Sequence, residues 1–268
     1  MLAWNAQPPR ADLACPFHLE GKPGKTAVLC LHGFACSPCT MRSLANYLNH
    51  HGHPCYAPLM PGHGEMLEDF NMVLYQDWIE AAEASFDHLK QRHDRVAVVG
   101  FSMGGVLGLH LATVRNLQAL TLLATPVYFG TWLRRFYPVA RTFTSALPVV
   151  FDVANHRARK RRKHGVHTVL PVHAVGQLLE LLEDVRPRLN QVECPLLIAQ
   201  SRSDHTVPPT NAPYIAQHVS SRFRRLLWLR RAFHVLPVDY GFRRLEHEVA
   251  RFLAEVENRA GALKPAGV

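Results

Sequence analysis

A serine hydroxyl attacks an acyl carbon only when a base takes its proton and an acid orients that base. One serine here sits in a setting suited to that chemistry. Gly100-Phe101-Ser102-Met103-Gly104-Gly105 follows the buried-type run Val96 to Val99 and opens a helical stretch. A G-x-S-x-G pattern occurs by chance, but between a strand and a helix it has the context of a nucleophile elbow. The chain must reverse within a couple of residues there, which leaves the serine in a strained conformation with its hydroxyl presented. Gly100 and Gly104 keep side chains out of that turn.

The acid and base are sought downstream of Ser102, at the ends of later strands. Asp204, in Ser203-Asp204-His205-Thr206-Val207-Pro208, follows the apolar run 195–200. Asp184 is a rival set among helical neighbours, and Asp239 is a rival that comes after the candidate base. For the base, His234 in Arg231-Ala232-Phe233-His234-Val235 lies between a strand and the last helix. His205 adjoins the acid and is badly placed to bridge it to Ser102. His218 falls in a helical stretch and reads as a surface residue. The tetrahedral oxyanion needs N–H donors. Met103 N–H, at a helix N-terminus, is one candidate. Phe34 N–H is the other, in Leu31-His32-Gly33-Phe34 after the first buried strand.

The elements that must carry these residues alternate along the chain. Runs 27–31, 54–57, 95–99, 118–123, 195–200 and 225–229 read as strands. Segments 38–50, 74–92, 103–115 and 242–258 have helical spacing, with Trp78, Ala82, Phe86 and Leu89 on one face of the second. The last residues, Ala260 to Val268, read as frayed. Such alternation predicts an α/β fold with a mostly parallel sheet flanked by helices. The rhythm breaks at 126–190, which reads as helical without a strand signal. The expected organisation is a core of 1–125 and 191–268 with a helical cap inserted at 126–190.

The chain has 268 residues, enough for one such domain with an insertion. It is 48% hydrophobic and 19% charged, which argues against disorder. No run of about 18 apolar residues is present, so no membrane span is expected. The N-terminal stretch lacks a basic start and an apolar run, which predicts a cytoplasmic location. Six cysteines do not form a disulfide framework in that compartment. Cys36 and Cys39 form a C-x-x-C, but no second ligand pair accompanies it, so neither metal nor cofactor is expected. A Gly-rich phosphate loop with lysine is also missing.

The net charge of +9 is unevenly spread. Arg134, Arg135, Arg141, Arg157, Arg159, Lys160, Arg161, Arg162 and Lys163 face only Asp152 within 134–163, a surplus of eight. The plain reading is a solvated loop. The sharper reading is a positive rim that attracts an anionic substrate or an acidic carrier. Nucleic acid is not expected, since the run has little aromatic interleaving for base stacking.

Together these residues resemble the α/β-hydrolase superfamily over nearly the whole chain. The closer likeness is to bacterial carboxylesterases and monoacylglycerol lipases with small helical caps. It rests on His32-Gly33-Phe34, Pro61-Gly62-His63-Gly64, Asp77-Trp78, Gly100-Phe101-Ser102-Met103-Gly104-Gly105, Asp184-Val185-Arg186, Asp204-His205-Thr206-Val207-Pro208 and Phe233-His234-Val235. The resemblance implies Ser102, Asp204 and His234 as a triad, with Phe34 and Met103 as oxyanion donors. Cys36 departs from the small residue common in that loop and would narrow the acyl pocket. The Arg- and Lys-rich segment is a second departure.

The expected function is serine carboxylic-ester hydrolysis through an acyl-enzyme, on short- to medium-chain acyl esters or monoacylglycerols. Val127, Tyr128 and Trp132 are expected to line the pocket with Phe34 and Met103. Two alternatives stand beside it. One is a thioesterase or esterase acting on an acyl group held by an acidic carrier. The other is a non-catalytic anion- or lipid-binding protein on a hydrolase scaffold.

Overall fold

In a computed structural model, residues 14–130, 137, 146–148 and 169–262 are described. Seven strands form one sheet: β1 (Phe17–Leu19), β2 (Ala27–Leu31), β3 (Cys55–Ala57), β4 (Val96–Phe101), β5 (Leu120–Leu123), β8 (Leu196–Ser201) and β9 (Arg224–Leu229). A separate antiparallel pair joins β6 (Ala146–Pro148) to β7 (Val169–Pro171), with Leu147 opposite Leu170. The helices are α1 (Arg42–His50), α2 (Leu67–Phe70), α3 (Tyr75–Lys90), α4 (Met103–Val114), α5 (Val172–Val185), α6 (Asn211–His218) and α7 (Phe242–Ala262).

The order across the main sheet is β1-β3-β2-β4-β5-β8-β9, and all neighbours are parallel except β1 with β3. The chain goes from β2 outward to β3, then returns to the other side of β2 with β4. That reversal opens a crevice beyond the carboxyl ends of β2 and β4, where ligands bind in open α/β sheets. The loop carrying Phe34 and the turn carrying Ser102 leave those two strand ends.

Strand alternation divides the core between two faces. Ala27, Leu29 and Leu31 of β2, with Val96 and Val98 of β4, pack toward Trp78, Phe86 and Leu89 of α3. Val28, Cys30, Ala97, Val99 and Phe101 face the other way, against Leu44 and Leu48 of α1 and Val249 and Phe252 of α7. The start of α3 is capped by Asp77, whose carboxylate accepts the Leu74 N–H at 2.8 Å. Helix α4 is buried from Met103 to Leu111, between the sheet and α3, so its pattern is apolar all round.

Two expectations from sequence are corrected. The segment 126–190 is not purely helical, since β6 and β7 lie within it; three-residue strands leave no alternation long enough to detect. Residues 260–262, read as frayed, continue α7. The preceding turn of that helix is tethered. Glu257 takes hydrogen bonds from Lys25 Nζ and from the Thr26 N–H and hydroxyl, and the Arg259 guanidinium lies 4.1 Å from the Phe223 ring centroid. Strand β1 and helix α2 were not anticipated, being too short for a periodic signal. All nine basic residues of 134–163, and Trp132, lie outside the described residues.

Candidate active site

Ser102 ends β4 and begins α4 with φ 52° and ψ −116°. A left-handed φ on a non-glycine residue costs of order 1–3 kcal/mol and persists only where surroundings enforce it. Here the Ser102 N–H is fixed to the Leu123 carbonyl at 2.8 Å, and its own carbonyl accepts the N–H groups of Gly105 and Val106. A side chain on Gly100 would collide with the backbone of Gly104, and one on Gly104 with the carbonyls of Leu31 and His32. These two glycines let the turn close and let α4 lie against the end of β2.

Two further loops complete a line of hydrogen bonds. His234 Nε2 lies 3.1 Å from the Ser102 hydroxyl, and Nδ1 lies 2.9 Å from Asp204 Oδ2. With Asp204 ionised, Nδ1 carries the proton it donates to the carboxylate, which leaves Nε2 to accept from serine. All three side chains are buried or nearly so. Asp204 Oδ1 accepts the N–H groups of Thr206 (2.9 Å) and Val207 (2.8 Å), and Oδ2 also accepts Gln200 Nε2 at 2.9 Å. Burial pushes the Asp204 carboxyl upward. The charge and hydrogen bond of His234, with the two backbone N–H groups, outweigh that and hold it below the usual carboxylate range.

The His234 loop is held by a second carboxylate. Asp239 accepts the N–H of Phe233 at 2.8 Å and that of Tyr240 at 2.7 Å. The Phe101 ring centroid lies 5.2 Å from that of His234 and closes one side of the imidazole. Asp239 therefore secures main chain, while Asp204 secures the ring. The other rivals lie apart: Asp184 pairs with Arg188 at 2.6 Å, His205 packs on Phe233, and His218 stacks on Tyr214.

The loop after β2 forms the opposite wall. His32 Nδ1 donates to the Gly33 carbonyl at 3.0 Å, and Nε2 accepts the Met60 N–H at 3.0 Å. Complete burial, only partly offset by the Gly33 hydrogen bond, lowers its pKa to about 4. Its ring begins an aromatic cluster with His63, Phe34, Phe70 and Trp78. Gly33 lies flat on Phe101, where a Cβ would approach the ring at 2.8 Å. The turn bearing Phe34 thus abuts the strand end that bears Ser102, and Met103 is the first residue of α4. His63 Nδ1 donates to the Pro61 carbonyl at 3.0 Å, as expected of a loop-fixing residue.

Of the pocket residues expected from sequence, Val127 is fully buried in the sheet-face cluster and Tyr128 is half-buried. Both backbone N–H groups bond to Asn211 Oδ1, at 2.8 and 3.0 Å, and the Tyr128 hydroxyl bonds to Thr210. Fully buried Asn211 also donates to the carbonyls of Tyr128 and Pro208, so it pins the segment after β5 to the Asp204 loop. Sequence reasoning missed Gln200 and Asn211. Gln200 had a signal, as a polar residue inside the buried run LLIAQS. Among the described residues, no group of three or more His, Cys, Asp or Glu side chains is arranged to hold a metal. Cys36 is buried, Cys39 Sγ lies 3.0 Å from the Ser37 hydroxyl, and no described helix is long and apolar enough to cross a membrane.

The fold and this line of side chains define a serine hydrolase of the α/β-hydrolase class. The chain belongs to the family described as serine aminopeptidase, S33, whose model matches residues 22–240. It is 31% identical to a thermostable monoacylglycerol lipase of Bacillus sp. (strain H-257), over 88% of this chain and 92% of that one. It is 26% identical to a carboxylesterase of Bacillus subtilis (strain 168), over 90% and 97%. A solved structure from work on the metagenome-derived lipolytic enzymes LipS and LipT superposes with a TM-score of 0.84 at 27% identity, covering 91% of this chain and 98% of that one.

Proposed function

We propose that this enzyme is a serine carboxylic-ester hydrolase acting on short- to medium-chain acyl esters or monoacylglycerols. The observation that carries the reading is the continuous Ser102–His234–Asp204 hydrogen-bonded line at a strained strand-to-helix turn. Ser102 Oγ attacks the acyl carbon while His234 Nε2 takes its proton. Negative charge on the carbonyl oxygen is met by the N–H groups of Met103 and Phe34, at the start of α4 and in the loop held by His32. His234 then gives its proton to the leaving alcohol, and Asp204 stabilises the imidazolium without being protonated itself. Water, deprotonated by His234, releases the acid and restores Ser102.

The cap is residues 126–190, joined to the core through Asn211, and the core is 1–125 with 191–268. Val127 and Tyr128 are assigned to the acyl-pocket wall. The names of the Bacillus relatives favour an ester over the amide that the family description suggests. The test is a fluorophosphonate label with a chain-length panel of nitrophenyl esters and an aminoacyl nitroanilide. Labelling at Ser102 and turnover of the esters alone is the expected result. Unlabelled Ser102, or faster turnover of the anilide, overturns it. His234 Nε2 must be unprotonated to accept the Ser102 proton, so kcat/KM falls toward acid pH.

A further inference from the structure

Gln200 is the penultimate residue of β8, four before Asp204, and is 1% exposed. Its Nε2 donates to Asp204 Oδ2 at 2.9 Å. That is the same oxygen that receives His234 Nδ1, also at 2.9 Å. Its Oε1 is buried and has no hydrogen-bond partner among the described residues. Leaving a buried amide oxygen unpaired costs about 1–3 kcal/mol, whereas an apolar residue of the same shape would avoid that cost. A strand position facing an otherwise apolar interior has no packing need for an amide. What the glutamine supplies that leucine or methionine would not is one N–H to the carboxylate.

We infer that Gln200 is a positioning residue that sets how strongly Asp204 holds the His234 imidazolium. The inference rests on the proposed roles of Asp204 and His234. The Asp204 carboxylate has four N–H donors, and only one of them belongs to the group that gains and loses a proton. The amide shares Oδ2 with the imidazole and withdraws part of its electron density. It also fixes the direction in which that oxygen faces Nδ1. Without it, the anion is less well solvated and its attraction for an imidazolium at Nδ1 grows. His234 would then retain its proton to higher pH. The other ionisable groups of these loops are Asp239, bound to the Phe233 and Tyr240 N–H groups, His205, on the Phe233 ring, Arg202, over the Trp228 ring, Tyr240, and Arg230 with Arg231, the latter at a left-handed turn before Ala232. None of them bonds to Asp204 Oδ2 among the described contacts.

The experiment measures kcat/KM against pH on an uncharged ester for Gln200→Leu and Gln200→Met, with thermal midpoints, beside Ser102→Ala and Asp204→Asn. The expected result is an acid limb moved to higher pH by about half a unit or more, and a plateau lowered severalfold. Thermal midpoints should be unchanged or higher, because the orphan oxygen is gone. A merely structural role would lower the midpoint and leave the limb in place. An unmoved limb in both variants overturns the inference, as does failure of both to fold. If Ser102→Ala and Asp204→Asn stay active, the proposed triad fails instead, which is a separate outcome.

Discussion

The two walls flanking Ser102 are fastened in different ways. On the Phe34 side, His32 bonds through both ring nitrogens to main-chain groups, and its ring lies in an aromatic cluster. On the Asp204 side, the contacts run from side chain to side chain, Gln200 to Asp204 to His234 to Ser102. Both imidazoles are buried in loops that follow strands, yet their partners differ. Burial keeps His32 neutral and its two backbone partners fix one tautomer, so it acts as a fixed strut. A carboxylate on one nitrogen and a hydroxyl on the other equip His234 to pass a proton. Burial alone therefore does not assign a histidine its work; the chemistry of its two partners does.

The largest expected effect comes from breaking the line at its end. Ser102→Ala should reduce ester turnover by about 10⁶-fold with the fold intact, read by initial rates and thermal melting, and more than about a thousandth of wild-type turnover would remove Ser102 as the nucleophile. Next is Asp204→Asn, which should cost about 10⁴-fold in kcat because the imidazole tautomer is no longer held. Asp184→Asn should leave kcat near wild type, and Asp239→Asn should fall between, through a loosened Phe233 N–H. A larger loss at Asp239 than at Asp204 would reverse the assignment of the two carboxylates.

On the other wall the effect should appear in stability. His32→Leu leaves the buried Met60 N–H without its acceptor and should destabilise by about 1–3 kcal/mol in denaturant titration. The pH response has a definite sign. The unfolded imidazole binds a proton below about 6.5, whereas the folded one resists until about 4, so stability is lost as pH falls between those values. The loss attributable to His32 should approach about 3 kcal/mol and be absent from His32→Leu. A parallel pH dependence in both proteins would detach His32 from it; His53, whose pKa is also lowered by burial, would then be the next group to test.

The smallest effect concerns neither wall. Replacing Arg159, Lys160, Arg161 and Arg162 by Ser should remove a severalfold salt dependence of kcat/KM for an anionic ester and leave a neutral ester unaffected. Attraction by surface charge is screened over a Debye length of about 10 Å at 0.1 M salt. Equal salt responses for the two esters would leave the basic run as a solvated surface.

Much of the fold was legible because its signals are local. Five-residue apolar runs, helix faces such as Trp78 to Leu89, and the glycines around Ser102 each declare themselves within a dozen residues. From those, the alternation of elements follows without coordinates, while the chain order Ser102, Asp204, His234 was expected from the α/β-hydrolase resemblance. Elements β1, α2, β6 and β7 escaped, since three or four residues complete no period. Tertiary structure alone decided the partnerships. Asp204 and Asp239 are both buried beside His234, and only the parallel placement of β8 next to β9 directs one to the ring and the other to the main chain. The same holds for Asn211, whose partners include the N–H groups of distant Val127 and Tyr128, and for Gln200, whose partner Asp204 it shares with distant His234. A hydrogen bond depends on about 3 Å and a direction, and those are properties of where strands lie side by side rather than of spacing along the chain.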